Sequence, residues 1–447
     1  MLLLRGPGPC PPQPIRPAAD IAPKPRQAQR PPRPARRDAL SRLRHHLVGF
    51  PLHGPLRLSA LLRTFLPPAA ADHAPHPFRR LRPPGQGSSP RSRNGGSVNL
   101  QGMLRFKMGW TQPEGPYHDV VMASRVRLAR NLASTAFPGR ASASSRKRVR
   151  ETVFAAARQT YLKDAAYFRL DELDSVDLRF LAERHLISPT LAEEPDQGGV
   201  IIDSRECLTL MVNEEDHLRL AALAPGLDLR QAAREANGLD DDLTRRLDFA
   251  FRKDWGYLTA CPTNLGTGMR ASCLVHLPGL GLVGAINKFL EGLSQSGLIA
   301  RGLYGEGTKV MGDFFQISNH TGLGRTEAEM VTAVERAVET VAQREKEARQ
   351  KLANGPRRVQ LEDTVQRAAG CLTRARVLSF EEGCHHLSAL RIGLSLGWEL
   401  PGNFTIVNEL AIMTQPAHLA MLAGKPLGAQ DQAVLRASLV RKRLGAK

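Results

Sequence analysis

The sequence has no cysteines in a C-x-x-C arrangement: Cys10, Cys207, Cys261, Cys273, Cys371 and Cys384 are scattered over 447 residues. That scatter argues against a disulfide framework or a cysteine-pair zinc site, and it suits a reducing, cytoplasmic setting. No apolar run reaches the roughly 18 residues needed to span a membrane. A secretory signal is missing too, because MLLLRGPGPC is interrupted at Arg5 and Gly6 before an apolar stretch forms. There is no P-loop of the form GxxxxGK[ST]. A nucleotide site in this chain would therefore rest on side chains rather than on a backbone cradle.

The first hundred residues lack Glu, Tyr and Trp altogether. They hold 20 of the 32 prolines and 17 of the 62 Lys and Arg, but only 3 of the 43 acids. Runs such as RPPRPARR (30–37) cannot build a packed core. Three readings of this segment stay open: a disordered basic tail, a transit-like leader, or translation from upstream of the true start. A formal charge of +19 would suggest nucleic acid or an acidic surface. Residues 101–447, however, carry 45 basic and 40 acidic groups, so the excess belongs mostly to the leading segment. Neither a direct nucleic-acid partner nor a membrane follows for the rest.

What is present is an alternation of short apolar strands and amphipathic stretches from about 105 to 325. VVMASRVRL (120–128), CLTLMVN (207–213), WGYLTAC (255–261) and ASCLVHL (271–277) read as strands, the last two joined by one turn. RKRVRETVFAAARQTYL (146–162) and LVGAINKFLEGLSQSG (282–297) read as helices. Thr326 and Glu329 form a capping-box pattern opening a helix over about 327–352, which Asn354, Gly355 and Pro356 end. The remainder reads as helical. The class is α+β with an antiparallel sheet flanked by helices, followed by a smaller all-α domain. The expected division is a disordered extension over 1–102, a catalytic domain over 103–340 and a helical domain over 341–447.

Arginines recur at strand ends and glycine-rich turns: Arg125 and Arg127 in SRVR, Arg219 after NEEDHL, Arg270 closing CPTNLGTGMR, and Arg301 opening RGLYGEG. Alternate strand residues share a face, so Arg125 and Arg127 point the same way. Singly, each reads as a surface arginine. Together, planar guanidinium groups would grip a polyphosphate through paired hydrogen bonds. NEEDH (213–217) sets three carboxylates at a strand end, either as a solvated turn or as a general base. Glu306, between two glycines, is a second carboxylate able to approach a ligand closely. A rival is the GxGxxG of Gly279, Gly281 and Gly284, with Glu306 beyond it, which matches a dinucleotide fingerprint but leaves the arginines unused. His385 and His386 beside Cys384 invite a metal reading, yet no second ligand pair lies nearby in sequence, and a helix face is the simpler account. No metal-ligating residue is assigned.

These stretches together resemble the phosphagen (guanidino) kinase family. CPTNLGTGMR is similar to its cysteine-containing signature and NEEDHLR to its acidic motif, with SRVRLARN, RGLYGEGT and FFQISN in the family's order. Within the family the chain looks most like the bacterial protein-arginine kinases, through RGLYGEG, ERHLISPTLAE (183–193) and ELAIMTQPAHL (409–419). The resemblance implies ATP and Mg²⁺ as cofactors. It implies phosphate contacts from Ser124, Arg125, Arg127, Arg219, Arg270 and Arg301, and an adenine contact from His185. It implies that Glu215 and Glu306 hold the acceptor guanidinium with Cys261 beside it, where a buried structural thiol is the alternative. The implied partners are proteins bearing exposed arginine, an activator protein, a transcriptional repressor and a Clp unfoldase, with a homodimer as a further expectation. A stress-response role in marking proteins for degradation follows from the same resemblance. One departure is QAVLRA (432–437), where the family carries an Arg-Asp-x-x-Arg motif linked to phosphoarginine binding; only Arg436 remains. A regulatory module that holds phosphoarginine or a repressor without turnover is the alternative function. Small-molecule phosphagen kinases also carry a helical domain of about a hundred residues before the SRVR strand. Only about twenty structured-looking residues precede Arg125 here, so the acceptor pocket is expected to lack that lid and to admit an arginine still attached to a protein.

Overall fold

The computed structural model describes residues 100–104, 107–302 and 311–445. Glu306 and almost all of the leading segment lie outside them. Eight strands form one antiparallel sheet: β1 (Val121–Arg130), β2 (Ala166–Arg169), β3 (Gly199–Ile202), β4 (Leu208–Val212), β5 (Leu218–Pro225), β8 (Met269–His276), β9 (Leu298–Gly302) and β10 (Phe314–Asn319). Their order across the sheet is β2-β3-β4-β5-β1-β8-β10-β9, which puts β1 and β8 near the middle. A separate two-stranded ribbon joins β6 (Phe251–Arg252) to β7 (Gly256–Tyr257).

The helices in chain order are α1 (Leu100–Met103), α2 (Ala143–Ala157), α3 (Ser175–Glu183), α4 (Pro189–Glu193), α5 (Leu229–Thr244), α6 (Pro278–Leu282), α7 (Ile286–Gln295) and α8 (Glu327–Asn354). Five more follow: α9 (Arg358–Arg374), α10 (Phe380–Ser395), α11 (Phe404–Met413), α12 (Pro416–Ala423) and α13 (Ala429–Arg443). Val126 and Leu128 of β1, Leu220 of β5 and Ala271 of β8 all point to one side of the sheet. There α5 and α8 cover them with Leu229, Ala232, Ala236, Leu239, Met330, Val334 and Val338. This buried apolar layer is what holds the helices to the sheet. It leaves the opposite face of the central strands for polar work.

Both capping-box bonds of α8 form, Glu329 N–H donating to Thr326 Oγ1 and Thr326 N–H donating to Glu329 Oε2 at 2.7 Å. The helix runs unbroken to Asn354, so the domain boundary expected at 340/341 falls inside it. Two expected elements differ. The stretch 282–297 is not one helix, because Gly284 adopts the left-handed region at φ 73° and separates α6 from α7. WGYLTAC is a strand only at Gly256–Tyr257. Beyond it Pro262 lacks a donor for a ladder, and Gly266 and Gly268 turn the chain at φ 107° and 68°.

A second core joins α1, α3 and α12 through Leu100, Met103, Phe180, Leu181, Ala417 and Met421. The C-terminal helices are thus anchored on the sheet domain, and α1 is part of that anchor rather than of the leading segment. Met103 is 2 % exposed. Met103→Ala should cost about 2–5 kcal/mol, read as a fall in melting temperature; no change would detach α1 from this core.

Candidate active site

The registers of the ladders place all five arginines on the face of the sheet away from α5 and α8. Arg127 lies opposite Arg270, and Ala129 opposite Arg219; directly opposed residues of an antiparallel pair share a face. Gln316 lies opposite both Leu274 of β8 and Arg301 of β9, which brings Arg301 to the same side as Arg270. Strand alternation in SRVR supplies Arg125 beside Arg127.

These cations repel one another. Burial pushes the Arg125 guanidinium down to about 10, helped by the charges of Arg219 and Arg270. Arg127 is driven well below the ordinary arginine value by burial and then by Arg125, Arg219 and Arg270. Arg270 is lowered by burial, Arg301 and Arg219. Among the described residues no carboxylate makes an ion pair with Arg125, Arg127 or Arg270. Arg127 Nε is buried without a hydrogen-bond partner there. A cluster of desolvated cations short of counter-charge is a site shaped for a polyanion.

Acid groups stand at one edge. Arg219 donates from Nη1 to Glu214 at 2.7 Å and from Nη2 to Glu215 at 2.9 Å. Glu214 also accepts from Ser188 Oγ at 2.8 Å and is nearly enclosed, whereas Glu215 is exposed. Within NEEDH the other residues build the turn. Asn213 takes φ 58° and donates from its amide to the carbonyls of Arg146 and Gln197. Buried Asp216 accepts from Asn131 Nδ2 at 2.6 Å and from the Ala260 N–H at 2.7 Å. That strap fixes the acidic turn against the residue before Cys261. Cys261 sits half-buried, its Sγ 3.1 Å from Thr263 Oγ1. Cys261 and Glu215 both lie near enough to Arg270 to act on it, opposing the lowering by burial and by Arg301 and Arg219, so thiol, carboxylate and guanidinium share one locale.

The loop carrying Cys261 is itself held. Buried Arg130 pairs with Asp240 at 2.7 Å, donates to the Thr267 carbonyl at 2.9 Å and lies over the Tyr257 ring at 3.5 Å. Gly256 is required where it is, since a Cβ there would meet the Gly266 carbonyl oxygen at 2.3 Å. His185 follows α3 at φ 61° with its ring edge-on to Trp110 at 5.5 Å. Burial lowers it to about 4, with Arg125 and His418 adding to the shift, so it is neutral at physiological pH. Its Nε2 is buried and has no hydrogen-bond partner among the described residues.

Ser124 is not brought to this face. Its hydroxyl donates to the Gly226 carbonyl at 2.9 Å and accepts from the Asp228 N–H at 3.0 Å, on the helix side. It braces the end of β5 and the start of α5. Glu306 lies outside the described residues. Arg436 is buried, donating to the carbonyls of Thr414 and Leu378, and so holds the C-terminal helices together. The dinucleotide alternative meets an obstacle at α6. The Gly279 and Leu280 N–H groups, where a pyrophosphate would bind, donate to the buried carboxylate of Glu345 at 2.8 Å each. That anion already fills the helix N-terminus.

The contributors that motif reading missed are Glu214, Asp216 and Asn131, together with Trp110 behind His185. Asn131 and both acids lie inside the quoted motifs, and their roles appear only when strand ends converge.

Residues 146–348 match the family described as ATP:guanido phosphotransferase, C-terminal catalytic domain, and residues 358–447 match the protein-arginine kinase McsB C-terminal domain. The protein-arginine kinase of Symbiobacterium thermophilum is 44 % identical over 346 residues, covering 76 % of this chain and 98 % of its own. That of Halothermothrix orenii is 41 % identical, covering 75 % and 96 %. A crystal structure of lombricine kinase aligns with a TM-score of 0.46 at 22 % identity, over 56 % of this chain and 71 % of that one.

Proposed function

The chain belongs to the ATP:guanido phosphotransferase family as a protein-arginine kinase, and from that premise we propose that the arginine face holds ATP while the Glu215–Cys261 edge receives the acceptor. The observation that carries this reading is the set of arginines on one face, three of them without an ion-pair partner among the described residues. Arg125, Arg127, Arg219, Arg270 and Arg301 bind the phosphates. His185 contacts the adenine. Mg²⁺ would be held by the nucleotide's phosphates and would offset their charge, Glu214 and Glu215 being engaged by Arg219. Bound ATP supplies the γ-phosphoryl group.

The acceptor guanidinium is protonated and no nucleophile in that state. Glu215 accepts a proton from one guanidinium nitrogen as the N–P bond forms and the bond from the γ-phosphorus to the bridging oxygen of ADP breaks. The arginines offset charge on the transferring group. Glu306, by its motif, is the second carboxylate that orients the planar acceptor, and Cys261 flanks it. Ser124 contributes by bracing β1 from behind. The catalytic part extends to the end of α8, and the helical part from α9 onward. A cytoplasmic location, a stress-response role, an activator protein, a transcriptional repressor, a Clp unfoldase and a homodimer belong to this proposal through family resemblance.

The substrate is arginine within proteins, and free arginine should be a poor acceptor because Glu215 stays exposed among the described residues, and an acceptor edge that is not enclosed holds a small ligand weakly. Incubation with Mg-ATP and an arginine-rich protein should give an acid-labile phosphate, placed on arginine by mass spectrometry at neutral pH. Faster phosphorylation of free arginine than of any protein would refute the open-pocket reading.

A further inference from the structure

The histidines His385 and His386 stand beside Cys384 in sequence, but the fold gives His386 different company. Cys384 turns toward the sheet domain, its backbone and Cβ packed about the position of Gly312. His386 faces α9 instead. There Cys371, eleven residues before Glu382, comes from the preceding helix. The ligand atoms of Cys371, Glu382 and His386 all lie within 4.8 Å of one another.

The distances are close to those of a coordination shell. Cys371 Sγ is 4.0 Å from Glu382 Oε1, and His386 Nε2 is 3.7 Å from the same oxygen. Around a tetrahedral Zn²⁺ with bonds of about 2.0–2.3 Å, neighbouring ligand atoms stand about 3.4–3.6 Å apart. A side-chain adjustment of a few tenths of an ångström closes these two gaps to Glu382, and the thiol and imidazole, within 4.8 Å of each other, draw together by rotation about their side-chain bonds. The carboxylate is already oriented for this. Ser379 N–H donates to Glu382 Oε2 and Glu382 N–H donates to Ser379 Oγ, the two bonds of a capping box, so Oε1 is the oxygen left toward the thiol and the imidazole. Glu382 and His386 are one helical turn apart on α10, the spacing that places two ligands side by side. Both are partly exposed, which gives an ion a way in.

We propose that Cys371 Sγ, Glu382 Oε1 and His386 Nε2 bind one borderline-soft divalent cation, Zn²⁺ first among them, with a fourth position open to water, and that the ion clips α9 to α10. A mixed sulfur, nitrogen and oxygen donor set suits such an ion better than Mg²⁺ or Ca²⁺, which take oxygen. Binding displaces one proton, from the Cys371 thiol, so affinity rises with pH. This site is independent of the arginine face, and its failure would leave the kinase reading untouched.

Co²⁺ titrated into the metal-free full-length chain should produce a thiolate-to-cobalt charge-transfer band that saturates at one equivalent, and should raise the melting temperature. Cys371→Ser should abolish the band, His386→Ala should abolish or shift it, and Glu382→Gln should weaken binding at least about tenfold. The Gln variant keeps the capping box, and His386→Ala alters only a partly exposed side chain, so a folding defect in Cys371→Ser does not block the test. Cys261→Ser and Cys384→Ser should keep the band. Absence of any band in the unaltered chain overturns the proposal, as does a band that survives Cys371→Ser or disappears with Cys261→Ser.

Discussion

Glu215→Gln should lower phosphoryl transfer about 10²–10⁴-fold, the usual worth of a positioned general base, while ATP affinity changes little. The substitution keeps an oxygen able to accept from Arg219 Nη2, now 2.9 Å from the carboxylate. What it removes is the negative charge facing the acceptor and the capacity to take a proton. Arg219 keeps that bond and its place beside the other phosphate-binding arginines, so nucleotide binding is buffered from the change. Glu214→Gln provides the contrast. Glu214 is nearly enclosed and accepts from both Arg219 and Ser188, so its loss should disturb Arg219 and with it nucleotide affinity. Single-turnover rates at saturating ATP, with binding measured separately, distinguish the two. A Glu215→Gln enzyme with a near-normal rate would remove Glu215 from proton transfer.

How much of this was legible in the sequence depends on whether a feature is local. The capping box of α8 was, because Thr326 and Glu329 are three residues apart and satisfy each other regardless of tertiary context. The shared face of Arg125 and Arg127 was, since period two suffices. The convergence of Arg219, Arg270 and Arg301 on that face could be suspected from motifs but depends on the strand order, which pairs β1 with both β5 and β8. Ser124 shows the limit of motif reading. One residue from Arg125, it inherits a binding role by adjacency, yet alternation sends it to the helix side, where Gly226 and Asp228 occupy its hydroxyl. The strand expected over 255–261 failed for a tertiary reason as well. Asp216 captures the Ala260 N–H that a ladder would need, so a loop strapped to the acidic turn replaces a strand. Cys371 had no local signal at all, being brought to His386 only by the packing of α9 on α10.

Arg127→Met should stabilise the nucleotide-free protein and at the same time abolish ATP binding and turnover. Arg127 is buried among Arg125, Arg219 and Arg270, and its pKa is driven well below the ordinary value, first by burial and then by those neighbours. A base with a lowered pKa in the folded state opposes folding whenever it is charged. For Arg125, brought down to about 10, the sign is explicit: the cost is fully present at neutral pH and is relieved only as pH rises through about 10 toward the ordinary arginine value. The free protein therefore carries an electrostatic strain that an anion removes. Methionine matches much of the arginine stem in length and brings no charge, so it should raise the melting temperature without ATP. In the unaltered enzyme ATP should do the same by binding only the folded state, worth about 2.7 kcal/mol at a hundred times its Kd. That increment should vanish in Arg127→Met. Thermal melts of both proteins with and without Mg-ATP give all four numbers. A variant that melts lower than the unaltered chain yet keeps the ATP-induced rise would show that Arg127 is a structural cation and that the phosphates bind elsewhere.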